Sequence, residues 1–471
     1  MNLTHQQLQM LASRRQFLTT SASGLGGVAL SSLLAKDLSA AKSERTDPLA
    51  PKKPHFDKAP AKACILVYLA GAPSQFELFN PKPKLEEHNG QPLPDSLTEG
   101  VRFAFINKNA KVLASKRKFK QHGESGMWFS DALPHLSTCA DDICMIHSMK
   151  TEAFNHHPGQ LAMCCGMQLF GRPSIGSWLT YGLGSESENL PGYVVLTAGG
   201  PARGGATLYT NGFLPSSYGG VQFRNQGEPV LNLNNPAGLS SQVQRSSLDA
   251  LADLNKERLG IQDDGEIQSR IDAYELAFRM QTAAPELIDT SKESKVTLES
   301  YGPGDFAKNC LLARRLVERG VRFVNIFHGG WDAHGGLTGN ITNNAKAVDQ
   351  GMAALIKDLK QRGMLDETLV VWGTEFGRTP LAQGNDGRDH HPFAYSMWMA
   401  GGGSKPGYTH GKSDDLGWHV AEKPVHVNDF QATMLRLFGL DDKKLTYRFK
   451  GLDNRLTGVG ESGHLVPELI A

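Results

Sequence analysis

Apolar positions along this chain fall into two spacings that alternate. Short unbroken runs occur at Ala63 to Ala70 (ending in Gly71), Ile143 to His147, Tyr193 to Leu196, Val321 to Phe327, Thr368 to Trp372 and Tyr395 to Ala400. Runs of this length without polar alternation predict strands covered on both faces. Between them the spacing lengthens to three and four. Phe306, Cys310, Ala313 and Val317 predict one helix, and Ala345, Val348, Met352, Leu355, Ile356 and Leu359 form the stripe of another. Strands alternating with helices predict an α/β domain whose mostly parallel central sheet carries helices on both faces. The stretch Thr197 to Leu239 is rich in Gly, Pro, Ser and Asn, and Ile267, Ile271, Tyr274 and Phe278 then return to helical spacing. The region from about 197 to 300 therefore reads as a loop-rich insertion in the sheet, not a separate domain. No internal repeat interrupts the pattern.

The N-terminus departs from it. Ser13-Arg14-Arg15-Gln16-Phe17-Leu18 matches the twin-arginine export signal, Gly24 to Leu34 supplies its apolar core, and Ser39-Ala40-Ala41 offers small residues for cleavage. The apolar stretch is too short for a stable membrane span. The expected organisation is a signal peptide over 1–41, a Pro/Lys-rich linker over 42–60 and a single domain over 61–471, in a protein exported to the periplasm or beyond. Composition adds little: 471 residues, 40% hydrophobic and 21% charged, describe a globular protein with a large core. Lys plus Arg total 49 against 48 for Asp plus Glu, a net charge of +1 that gives no footprint for binding nucleic acid. Of six cysteines, Cys139 and Cys144 are spaced so that they could pair, and Cys164-Cys165 are adjacent.

Candidate chemistry is concentrated late in the chain, in Gly330-Trp331-Asp332-Ala333-His334, Thr374-Glu375-Phe376-Gly377-Arg378 and Arg388-Asp389-His390-His391-Pro392. Asp332, His334, Glu375, Asp389, His390 and His391 are oxygen and imidazole donors of the kind that zinc, manganese, calcium or iron accept. They follow two successive predicted strands, expected to lie side by side, and strand ends are where α/β folds place their chemistry. Singly, Asp332 also reads as a turn residue and His390-His391 as a surface loop. Arg378 reads as a bidentate anion clamp or as a salt-bridge partner. Ser74 and Gln75 follow the first strand and could donate to a substrate or simply form a turn. His410, His419 and His426 read as loop histidines.

Further motifs carry a resemblance. Gly71-Ala72-Pro73-Ser74-Gln75-Phe76-Glu77-Leu78-Phe79-Asn80-Pro81-Lys82-Pro83, Gly171-Arg172-Pro173-Ser174-Ile175-Gly176-Ser177-Trp178-Leu179 and the late cluster occur in the order seen in the uncharacterised domain-of-unknown-function 1501 family, which this chain resembles from about Ala63 onward. Through that family it is similar to the alkaline phosphatase and sulfatase superfamily. The resemblance implies a three-layer sandwich and hydrolysis of phosphate or sulfate esters at a metal centre. His156-His157-Pro158-Gly159-Gln160 through Cys164-Cys165-Gly166 matches the superfamily's nucleophile-bearing helix in length, which implies His156 at the nucleophile position, its imidazole there to ligate metal or to accept a phosphoryl group, and His157 beside the substrate. No formylglycine can form from a histidine.

By the same resemblance, Asp332, His334 and His390 or His391 stand where one metal is held. The second metal's ligands are replaced by Gly71-Ala72 and Glu375-Phe376; Glu375 retains an oxygen donor, Phe376 does not, and Glu77 and Asn80 are the nearest substitutes. One divalent ion, zinc in first place, is expected rather than two. Val427 to Leu435 resembles a superfamily helix, with Asn428 as its expected cap. Two functions follow from the resemblance: an exported metal-dependent hydrolase of a small anionic ester or of a sulfated or phosphorylated glycan, or a superfamily member that binds an anionic glycan or surface partner without turnover.

Overall fold

The computed structural model describes residues 47–99, 103–107, 109–224, 228–236, 238–262, 265–458 and 463–471. The twin-arginine segment lies outside the described residues. All six apolar runs are strands of one sheet. In chain order the strands used below are β1 (Ala63–Leu69), β2 (Ile143–Lys150), β3 (Tyr193–Gly199), β4 (Val221–Gln222), β5 (Phe323–Gly329), β6 (Thr368–Gly373), β7 (Gly377–Ala382), β8 (Arg388–His391), β9 (Tyr395–Ala400), β10 (Tyr408–His410) and β11 (Val425–His426). The sheet has nine strands in the order β10-β2-β9-β6-β1-β5-β3-β4, with β11 also paired to β2. Every pairing is parallel except those of β9, which runs antiparallel to both β2 and β6. The fold is thus α/β with a mixed, mostly parallel sheet. Two expectations need adjustment. β5 and β6 are not neighbours, because β1 lies between them and pairs with both. The loop-rich region contributes β4 to the sheet edge, beside β3.

Side-chain alternation along β1 explains the layers. Ile65, Val67 and Leu69 enter one apolar core, while Cys64, Leu66 and Tyr68 enter the other. The helices divide accordingly: α1 (His156–Cys165), α2 (Ile175–Leu183) and α7 (Val427–Leu437) cover the second face. The first face is covered by α5 (Asp305–Val317) and α6 (Leu337–Gln361), with the end of α4 (Gly265–Ile288), which follows α3 (Ser241–Gln262). In α6 the predicted stripe Val348, Met352, Leu355, Ile356 and Leu359 is fully buried, and each such side chain contributes about 1.5–3 kcal/mol by leaving water. Residues 48–471 form one compact unit.

Details at the helix ends depart from expectation. α7 is capped not by Asn428 but by His426, whose Nδ1 accepts from Asn428 N at 3.2 Å while Asp429 Oδ2 accepts from His426 N at 3.0 Å. Asn428 instead donates to Gly166 O, and Gln431 to Met163 O and to Ala162 O, which also accepts from Gly166 N, so α7 donates to carbonyls at the end of α1. Cys139, Cys144, Cys164 and Cys165 are unpaired and buried as packing residues. Among the described residues no helix is long and apolar enough to cross a membrane.

Candidate metal centre

The carboxyl ends of β1, β5 and β6 open onto one spot. Gly71 follows β1, Asp332 and His334 follow β5, and Glu375 follows β6. His156 arrives as the first residue of α1, on the connection that leaves β2, and His390 lies on β8 of the ribbon β7–β8. This convergence needs a glycine at 71. Its φ is +114°, and a Cβ there would stand 2.5 Å from Asp332 N.

One atom each from His156, Asp332, His334 and His390 lies within 4.8 Å of the others, a cluster that could hold a metal ion. Asp332 Oδ1 is 3.0 Å from His156 Nε2, 3.0 Å from His334 Nε2 and 3.6 Å from His390 Nε2. His334 Nε2 and His390 Nε2 are 3.0 Å apart. The other nitrogen of each ring meets an oxygen: His156 Nδ1 meets Glu375 Oε1 at 2.7 Å, His390 Nδ1 meets Phe154 O at 2.7 Å, and His334 Nδ1 meets Gln383 Oε1. An acceptor at Nδ1 places the proton there and turns the lone pair of Nε2 inward, as in metal-bound histidines. His156 Nε2 is moreover buried with no hydrogen-bond partner among the described residues, since its approach to Asp332 has the distance but not the angle of a hydrogen bond. Three imidazole nitrogens and one carboxylate oxygen are a donor set that a zinc-type ion fits.

Carboxylates complete the electrostatics. Burial opposes the charge of Asp332, but the three histidines and Arg378 around it hold its carboxyl well below the usual carboxylate range. Burial likewise opposes the His156 cation, and the carboxylates of Asp332 and Glu375 facing its two nitrogens outweigh it, holding its pKa above the ordinary histidine value. For His390 burial wins and its pKa is lowered. Phe376 is a wall: its ring centroid is 5.1 Å from that of His156 and 4.7 Å from that of His390.

Several expected site residues serve elsewhere. Glu375 does not face the cluster's centre; its Oε1 accepts from Gly71 N at 2.8 Å, His156 Nδ1 at 2.7 Å and Gln160 Nε2 at 3.1 Å, so it holds His156. Arg378 is fully buried and donates to Asp332 Oδ1, Gly71 O, Ala72 O and Arg388 O, which leaves no fork for a substrate anion. Asp389 Oδ2 accepts from Phe105 N and Ile106 N, and His391 Nε2 is held by Trp418 O, so neither joins His390 in the cluster. Gln75 pins β7 by exchanging hydrogen bonds with the backbone of Arg378, and Ser74 is buried. His157 is half-buried against Thr207 and Phe170. Glu77 pairs with Arg388 and Asn80 with Ser413, and neither replaces a second-metal ligand. Gln160, Gln383, Phe105 and Arg203 went unread in the sequence. Arg203 Nη2 contacts Asp332 Oδ2 at 3.2 Å; the Gly-Gly-Pro-Ala-Arg-Gly-Gly run after β3 was its one signal.

None of the curated proteins matches the chain. Among solved structures, Ps i-CgsB in complex with k-i-k-neocarrahexaose is 12% identical over 83% of this chain and 73% of its own, with a TM-score of 0.36. The lipoteichoic acid synthase LtaP from Listeria monocytogenes is 10% identical over 86% and 78%, TM-score 0.36. Alkaline phosphatase from the Antarctic bacterium TAB5 is 10% identical over 83% and 100%, TM-score 0.33. Likenesses this distant transfer no residue roles. The model of the family described as "Protein of unknown function (DUF1501)" matches residues 61–470, and the chain belongs to that family.

Proposed function

We propose that this protein is a metal-dependent hydrolase of phosphate or sulfate esters, exported by the twin-arginine route, with a single metal held by His156, Asp332, His334 and His390. One observation carries the reading: three Nε2 atoms converge on Asp332 Oδ1 while each Nδ1 is held by an oxygen. A zinc-type ion bound there would polarise the ester and lower the pKa of a bound water. The chain's own residues prepare for it. Glu375, Gln383 and the Phe154 carbonyl fix the three rings, and Arg378 holds Asp332 Oδ1 at 2.7 Å so that the carboxylate cannot rotate away. Phe376 excludes water from one side. His156 Nε2 is directed at the cluster, so in this reading it is a ligand, and water attacks in place of a side-chain nucleophile.

The test is metal analysis of the purified full chain, followed by assays with aryl phosphates and sulfates before and after chelation. Bound metal at about one per chain, with turnover lost on chelation and restored by zinc or manganese, is the expected result. Metal without turnover would favour the binding-only reading. No metal, with stability unchanged by chelator, would sink the hydrolase reading.

A further inference from the structure

The metal cluster has an open side. The Asp332 side chain keeps 21% of its exposure and His334 28%, and two exposed side chains of opposite character stand against these residues. Arg203 is 68% exposed and touches the site through one nitrogen, Nη2, on Asp332 Oδ2. That oxygen is not the one the histidines and Arg378 share. Arg203 is carried by an anchored loop: Gly200 bridges to Gly329 at the end of β5, and Gly204 N donates to Gln160 Oε1 at 2.9 Å. Gln160 also donates to Glu375, so the network that sets His156 also sets this loop.

Phe105 is the second group. It is 62% exposed, yet its ring packs at right angles to His334 at 5.0 Å and His390 at 5.4 Å between centroids. Its backbone is tethered by Asp389 Oδ2, which accepts from Phe105 N at 2.7 Å and Ile106 N at 3.0 Å. Asp389 is fully buried and immediately precedes His390. A large apolar ring left in water beside a polar cluster, and held there by a buried carboxylate, has the makings of a ligand subsite.

We infer that Arg203 and Phe105 recognise the substrate, Arg203 through the anionic oxygens of the ester and Phe105 through an apolar face of the ring to which the ester is attached. The inference rests on the hydrolase reading and narrows its substrates to esters of ring compounds, sugars or aryl groups, over linear alkyl esters. The guanidinium suits this role because its remaining N–H donors match two oxygens of a phosphate or sulfate, whereas Arg378 is fully buried and its Nε, Nη1 and Nη2 all donate within the protein.

The experiment uses metal-loaded full-length protein and the variants Arg203→Ala, Arg203→Lys and Phe105→Ala. KM and kcat are measured for p-nitrophenyl, hexose and ethyl esters, with metal content and the inhibition constant of inorganic phosphate. Arg203→Ala is expected to raise KM and the phosphate inhibition constant together, by about ten- to a hundredfold, with metal content unchanged. Arg203→Lys restores part of this. Phe105→Ala is expected to raise KM about tenfold for the two ring esters only, leaving phosphate inhibition as it was. Unchanged constants in Arg203→Ala, or equal losses for ring and ethyl esters in Phe105→Ala, overturn the inference. If the wild type hydrolyses none of these esters, the hydrolase reading falls separately. Calorimetry with inorganic phosphate and p-nitrophenyl phosphate then decides: binding weakened by Arg203→Ala, with the ring's contribution removed by Phe105→Ala, supports recognition, and binding that is absent or indifferent to both ends it.

Discussion

Replacing Glu375 with glutamine tests whether the shell behind His156 exists to hold a metal ligand. Glu375 is fully buried, and one of its oxygens accepts from three donors, Gly71 N, His156 Nδ1 and Gln160 Nε2. Glutamine keeps the shape and an accepting oxygen but removes the charge. A hydrogen bond to a charged group is worth about 1.5–3 kcal/mol and a neutral one about 0.5–1.5 kcal/mol. The His156 bond alone therefore weakens by about 1–1.5 kcal/mol, which at about 1.4 kcal/mol per decade is close to tenfold in metal affinity. Losing the carboxylate's pull on the ring adds to this, toward the upper end of the ten- to hundredfold typical of residues that orient a ligand. Alanine is the less informative variant. It strands three buried donors at about 1–3 kcal/mol each, a sum comparable with the whole stability of a domain, about 5–15 kcal/mol. The assay is competitive titration of zinc against a chelating dye, with circular dichroism to establish that Glu375→Gln is folded. A folded Glu375→Gln protein whose affinity stays within about threefold of wild type would refute the reasoning, because His156 would then need no carboxylate behind it.

Three further outcomes are expected. Arg378→Lys keeps a charge but loses the fork that reaches Asp332, Gly71, Ala72 and Arg388 together; it should cost about 3 kcal/mol in urea unfolding, and a loss under about 1 kcal/mol would show the fork to be dispensable. Leu355→Ala, in the fully buried stripe of α6, should cost about 2–5 kcal/mol by the same measurement, without changing metal affinity. His328 is buried and its Nδ1 accepts from Trp331 Nε1 at 3.0 Å, so it must be neutral. Burial lowers its pKa from 6.5 to about 4. With the folded value below the unfolded one, the folded state binds fewer protons in that window, and stability present above about pH 6.5 is lost as pH falls toward 4, by about 3 kcal/mol in all. His328→Gln should flatten that part of a stability-against-pH curve, and an unchanged slope would remove His328 as its source.

Local pattern carried the sheet. Unbroken runs such as Cys64 to Leu69 have no polar residue to betray an exposed face, and the structure covers both faces. Spatial order was less legible, since chain order puts β5 and β6 together and says nothing of β1 coming between them. The ribbon β7–β8 was hidden because Pro380 and the polar run Arg388 to His391 look like loop, yet that whole run is buried. Polar residue types announced a site without announcing partners. Arg378 and Glu375 are chemically fit for anion and metal, and only the folded geometry spends them on Asp332 and His156. Phe105 and Gln160 carried no signal of chemistry, and Arg203 only its glycine-rich surroundings, because their importance lies in what distant strands bring beside them.

The turn after β1 bears on which proteins this one can become by mutation. A carboxylate at position 71 would need a Cβ where Asp332 N lies at 2.5 Å, and the backbone N–H of that residue already serves Glu375. A carboxylate side chain is therefore not gained at this position by one substitution, since the β5 loop would have to move first. The exposed positions 105 and 203 face no such barrier. Descendants of this sequence can change the exposed side chains beside the cluster far more readily than the glycine beneath it.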